Sequence, residues 1–206
     1  MRERLLVITL LVLVAFVFLG CAPAAPATTE VKAPTVKLTR VEVSSYFPVP
    51  WKEWPAQPPT PTPQIPVAVR VPMNLAFVYE IENPNDVAVT LDQMKFTVEL
   101  EAAPSSPGDY FALATPNVYD RQSIPAKTTN ALRVNVVIDS AVVPGTLLVA
   151  YGQRIAEKKL NPNALVSSWW DQIQDFKYGI KVTGGTADFS GGGKRTLATF
   201  EGKWPK

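Results

Sequence analysis

The sequence predicts a mainly β protein, an immunoglobulin-like antiparallel β-sandwich with one amphipathic helix near its carboxy-terminal end. Three observations carry this. Apolar residues alternate with period two at 75–81, 132–138 and 178–182, as half-buried strands require. The strand candidates follow one another instead of alternating with helices, which argues against a doubly wound sheet. Only one segment, 165–176, keeps helical spacing.

The elements follow in order. Val36 to Val43 is a short strand candidate. Residues 48–66 hold eight prolines, among them Pro58, Pro59, Pro61 and Pro63. That density excludes helix and central strand and favours polyproline II. Trp51 and Trp54 lie within this insert, either packed back on the domain or offered to a partner's groove. Leu75, Phe77, Tyr79 and Ile81 then alternate with Ala76, Val78, Glu80 and Glu82. Asn83-Pro84-Asn85-Asp86 stops that strand, because Pro84 fixes φ and the asparagines bond nearby backbone. Apolar positions resume on odd numbers at Val87, Val89 and Leu91, and on even numbers at Met94, Phe96, Val98 and Leu100. One extra residue near Asp92-Gln93 restores a single buried face, so a β-bulge is expected there. With the preceding strand these segments are expected to form a long antiparallel hairpin.

Residues 102–117 read as a polar loop, and Val118 to Ile124 as a weak strand ended by Pro125-Ala126-Lys127. Leu132, Val134, Val136 and Ile138 give a strong strand signal. The apolar run Thr146 to Tyr151 fits a buried strand or the start of a helix. Asn161-Pro162-Asn163 opens the amphipathic helix carrying Leu165, Trp169, Ile173 and Phe176. After Tyr178, Ile180 and Val182, the glycines from Gly184 to Gly193 are expected to turn the chain into a last strand, 194–204.

The amino terminus says where the protein resides. Charged residues at 2–4 precede an apolar run, Leu5 to Leu19, and then Gly20-Cys21. This is a secretory signal pattern over 1–20. Phe18-Leu19-Gly20-Cys21 resembles the bacterial lipobox, with bulkier residues than usual at 18 and 19. The resemblance implies cleavage before Cys21 and acyl chains on its sulfur. The apolar run is shorter than the roughly 20 residues that span a bilayer. Residues 21–34, rich in Ala, Pro and Thr, read as a tether, and 35–206 as one domain. The expected location is the cell membrane, lipid-anchored and facing the extracytoplasmic side.

Composition narrows the chemistry. The 206-residue chain carries a formal charge of +2 and no histidine. The usual general base, the commonest metal ligand and a nucleic-acid groove are therefore not indicated. Cys21 is the only cysteine, so lipidation leaves no thiol for catalysis, zinc or a disulfide. No enzyme activity, cofactor, metal or nucleic-acid partner is expected, and a monomer is. Gly191-Gly192-Gly193-Lys194 fails the phosphate-loop pattern, because Asp188 and Arg195 stand where Gly and Ser or Thr belong. Asp171 and Asp175 share one helix face and read as solvated. Adjacent helical residues point about 100° apart, so Trp169 is expected in the core and Trp170 at the rim. Trp51, Trp54 and Trp170 are the candidate surface contacts.

Asn74 to Asn85, with its strand and Asn-Pro-Asn corner, resembles the water-stress and hypersensitive-response (WHy) domain of late embryogenesis abundant type 2 proteins. Ile124-Pro125-Ala126-Lys127 is similar to that family's turn before a strand, and Tyr178 to Gly184 with the last strand to its terminal hairpin. The likeness runs in order over about 35–204, with the proline-rich insert and the 102–117 loop as departures. It implies a sandwich with one helix, a structural role for Asn83, Pro84 and Asn85, an association with desiccation-type stress, and no catalytic residues. The alternative is an envelope assembly or solute-binding accessory lipoprotein that acts as a protein-binding module.

Overall fold

Two antiparallel sheets pack face to face in the computed structural model, which describes residues 31–46 and 71–205. The first sheet joins β1 (Thr35–Tyr46), β2 (Pro72–Glu82) and β7 (Thr129–Asp139) in the order β1-β2-β7. The second has β3 (Val89–Glu101) paired with β8 (Ile180–Gly191), which pairs with β9 (Lys194–Trp204). On the other side of β3 lie β4 (Tyr110–Ala114) and the short pieces β5 (Asn117–Val118) and β6 (Gln122–Ile124). Two helices, α1 (Val143–Glu157) and α2 (Pro162–Gln172), and a 3₁₀ turn (Ile173–Asp175) lie between β7 and β8 in sequence.

The alternating residues meet between the sheets. Leu75, Phe77, Tyr79 and Ile81 from β2 are wholly buried, as are Met94, Phe96, Val98 and Leu100 from β3. Phe96 meets Phe77 at 5.5 Å and Tyr79 at 5.4 Å between ring centroids, and Tyr79 meets Phe200 of β9 at 5.4 Å. These tilted and edge-on contacts tie the sheets together beyond simple area burial. The bulge in β3 falls where the change of parity placed it. Leu91 pairs with Phe189 and Gln93 with Asp188, which leaves Asp92 as the extra residue.

Several expectations are corrected. β2 and β3 form no hairpin: they belong to different sheets, and Asn83–Ala88 carries the chain from one sheet to the other. Alternation reports which face of a strand is buried and is silent about its partner. The middle of β2 is buried on both faces, since Ala76 and Val78 on its outer side are covered too, while Glu80 and Glu82 further along that side are exposed. Register places Ala76 between Glu42 and Asn135, and Val78 between Arg40 and Arg133. Glu42 bridges Arg40 and Arg133, and Ser44 bonds both Arg133 and Asn135, so a polar lattice roofs the central strand. The apolar stems of such long side chains cover what lies beneath them.

Thr146 to Tyr151 belongs to α1, the helix of the two alternatives, so the described residues hold two α-helices where the fold class named one. An unbroken apolar run has no period to separate strand from helix. α2 starts as predicted: the Asn161 side chain accepts from the Asn163 N–H at 2.9 Å and the Ala164 N–H at 3.1 Å, with Pro162 at the first turn. The 102–117 loop contains β4. β8 continues through Gly184 and Gly185 to Gly191. Only Gly192 (φ 54°) and Gly193 (φ 74°) form the two-residue turn, with the left-handed geometry that glycine suits.

The tether boundary also moves. Val31 and Pro34 are buried against the domain, and the compact unit begins at Val31. The signal segment 1–20, Cys21, and the insert 48–66 with Trp51 and Trp54 lie outside the described residues.

Candidate functional site

The strands run between two poles. Thr35, Glu82, Val89, Thr129, Gly191 and Lys194 gather at one end by their pairing, and Tyr46, Met73, Ile138, Ile180 and Trp204 at the other. The first is the corner pole, with the Asn-Pro-Asn turn. The second is the helix pole, reached by α1 directly after β7.

At the corner pole the two asparagines are built into the fold. Asn83 is wholly buried. Its side-chain amide donates to the carbonyl oxygens of Val87 (2.9 Å), Ile124 (3.1 Å) and Pro125 (3.0 Å). Its Oδ1 accepts the backbone N–H and the side-chain amide of Asn85 at 3.0 and 2.9 Å. Asn83 thus fastens the end of β2, the start of β3 and the β6–β7 turn. Asn85 does something the sequence did not announce. Its Oδ1 accepts the Lys32 N–H at 2.7 Å, and its Nδ2 donates to the Lys32 oxygen at 2.9 Å. The side chain imitates one rung of a β-ladder and clamps the incoming chain. Nothing in the local sequence links 32 to 85, so only a three-dimensional contact could reveal it. Lys127, at φ 57°, donates from Nζ to the Pro84 oxygen at 2.7 Å and pairs with Asp86 at 3.2 Å. The structural role expected for Asn83, Pro84 and Asn85 has a full geometric account.

At the helix pole, Trp170 was a candidate surface contact, and the structure overturns that. Trp169 and Trp170 are both wholly buried. The Trp169 indole donates to the Glu101 oxygen at 2.6 Å, and Tyr178 OH donates to the Trp169 oxygen at 3.0 Å. α2 packs across a wide face with Leu165, Val166, Trp169 and Trp170 all inside. A 100° separation therefore takes neither indole to the rim.

A group of exposed apolar side chains lies instead at α1 and its first turn, while Val143, Leu147, Tyr151 and Ile155 turn inward. Val142 is 58% exposed, Leu148 56% and Val149 91%. Gly145 and Gly152, on the same side, face open space. One signal could have found this face: residues 140–153 carry no charge at all. An ordinary surface helix would show charged residues on one side.

Two carboxylates pin the 102–110 loop. Asp109 pairs with Arg154 at 2.8 Å and Lys158 at 3.1 Å, and accepts from Ser106. The Ser106 hydroxyl, then Arg154 and Lys158, hold its carboxyl far below the usual carboxylate range. Glu101 accepts the Gly108 and Gly179 N–H groups at 2.7 and 2.8 Å. Burial acts to raise its pKa, and those two donors together with the Lys203 charge and the Tyr110 hydroxyl outweigh it and lower it. Asp171 and Asp175 are exposed, and Asp175 pairs with Lys177 at 2.9 Å. Among the described residues no three His, Cys, Asp or Glu side chains converge as metal ligands would, and no helix is long and apolar enough to cross a membrane.

No family model and no curated protein matches the chain. Among solved structures, the solution structure of an Arabidopsis thaliana protein is 11% identical over 88% of this chain and 85% of its own, with a TM-score of 0.41. A crystal structure of an Archaeoglobus fulgidus protein is 8% identical over 86% and 98%, TM-score 0.35. A solution structure titled as a candidate late embryogenesis abundant protein is 13% identical over 100% and 87%, TM-score 0.33. At these values neither family nor function passes to this chain.

Proposed function

We propose that this chain is a lipid-anchored, extracytoplasmic, non-enzymatic β-sandwich that protects neighbouring envelope proteins under desiccation-type stress. The observation that carries the reading is the corner motif. Asn83, Pro84 and Asn85, the residues of the late embryogenesis abundant type 2 resemblance, hold two sheets together and have their polar groups engaged in doing so. The motif thereby serves the scaffold, and the work falls to the surface it supports. The sequence supplies the rest: Gly20-Cys21 after an apolar run for the anchor, and no histidine for catalysis. The mechanism is weak surface contact and exclusion between client molecules. The test is residual activity of a labile enzyme after drying with the domain or with an equal mass of an unrelated β-sandwich. Greater protection by this domain is expected, and equal performance by the control refutes the reading.

A second reading has its own observation. The exposed side chains Val142, Leu148 and Val149 suit a protein-binding module better than a diffuse shield. That reading expects one saturable partner in the envelope and no general protection.

A further inference from the structure

We infer that the corner pole is the face this protein turns toward an anionic lipid bilayer. The inference rests on the acylation of Cys21 proposed above. The first argument is where the folded domain takes up its chain. Val31 and Pro34 are buried, Val31 packs over Gly192 of the β8–β9 turn, and Asn85 holds Lys32 by two hydrogen bonds. The covalent route from Cys21 thus reaches the domain at the corner pole and nowhere else. The clamp also leaves only residues 22–30 between the anchor and the fold, a reach of about 35 Å at ~3.5 Å per residue. β1 and β3 are 12 and 13 residues long. At ~3.3 Å per residue the helix pole lies about 40 Å from the corner pole. An upright domain therefore presents its corner to the bilayer and its helix pole to the space beyond.

Charge agrees with this placement. Lys32, Lys127, Lys194 and Arg195 are exposed at the corner pole, with the carboxylates Glu82 and Asp86 beside them. Lys127 is engaged by Pro84 and Asp86. Arg195 stands within electrostatic reach of Asp92, whose nearer partners are Ser190 and Arg121. Lys32, Lys194 and Arg195 remain to meet phospholipid phosphates. Each such cation strengthens attraction to an anionic surface by on the order of five-fold. Beside acyl chains that already hold the protein, three are enough to bias its orientation.

The experiment uses the mature acylated chain in phosphatidylethanolamine–phosphatidylglycerol vesicles. Acylation occupies the only native thiol, so single labelling sites are introduced by Thr129→Cys at the corner pole and Val149→Cys on α1. Each fluorophore is read against a quencher fixed at headgroup depth. Quenching several-fold stronger at position 129 than at 149 is expected. Changing Lys32, Lys194 and Arg195 together to Glu is expected to shrink that difference while vesicle flotation persists, because the tether still enters at the corner. Equal or stronger quenching at 149 in the parent overturns the inference, and a difference left unchanged by the charge reversal overturns the part assigned to the three cations. Failure of the unmodified chain to float refutes the anchoring itself and removes this inference with it.

Discussion

The corner pole and the helix pole solve opposite problems. At the corner, polar groups go inside: Asn83 is wholly buried and Asn85 is 5% exposed, and both have their amides engaged. At the helix pole, apolar groups stay outside, with Val149 91% exposed on a helix whose inner face is made by Val143, Leu147, Tyr151 and Ile155. A buried amide must be hydrogen-bonded or it destabilises the fold. An exposed valine has no such requirement, so its presence asks for a reason beyond folding. The comparison teaches that the sequence motif marks architecture, whereas the charge-free apolar run of α1 marks surface available for contact.

The sharpest way to break the comparison is Asn83→Asp. At neutral pH the new carboxylate would face the carbonyl oxygens of Val87, Ile124 and Pro125, all acceptors, in place of an amide that donates to them. An uncompensated buried charge costs roughly 3–5 kcal/mol. A fall of that size in urea melts is expected, with recovery as pH drops and the group protonates. A loss below about 1 kcal/mol would mean the corner relaxes freely and is no structural keystone.

A middle-sized effect separates the poles by pH. Asp109 ties the 102–110 loop to α1 near the helix pole, through Arg154 and Lys158. Its folded pKa is depressed by Ser106, Arg154 and Lys158. The sign follows: the folded form binds protons less readily, so this stability is complete above the unfolded value of about 4. It drains away as pH falls from there toward the lower folded value. Amide exchange in 102–110 is expected to quicken below about pH 4, and Asp109→Asn to remove that dependence. The variant should cost up to about 1 kcal/mol at pH 7, as partly exposed pairs do. The corner has asparagines where this loop has a carboxylate, so its exchange should not follow the same curve.

What the sequence disclosed follows a physical line. Alternation exposed the buried faces of β2, β3 and β7, and the parity change at Asp92 exposed the bulge, because side-chain direction is local. Sheet membership was hidden, since Glu82 and Val89 are joined by a turn whether they share a sheet or cross between two. The Asn83 role was legible from residue type. The Asn85 clamp on Lys32 was not, because it spans 53 positions. Trp170 was misplaced because helical angles give a direction without the width of the packing face. The α1 surface was missed because a charge-free run looks like core until the fold shows what stands opposite.

The smallest expected effect on stability is the most telling for function. Val149→Ser with Leu148→Ser removes exposed apolar surface and breaks no hydrogen bond given by those side chains. Surface changes of this kind usually stay within about 0.5 kcal/mol. Melting behaviour should therefore match the parent. If the helix pole is a docking face for one envelope partner, the double variant should lose the saturable binding that the parent shows, and neither form should protect a drying enzyme. If protection works through weak contact over the whole surface, both properties should change little, because two side chains are a small part of that surface. A large loss of stability would contradict both, since it would mean that Leu148 and Val149 are covered in solution and that the two poles differ less than their exposures indicate.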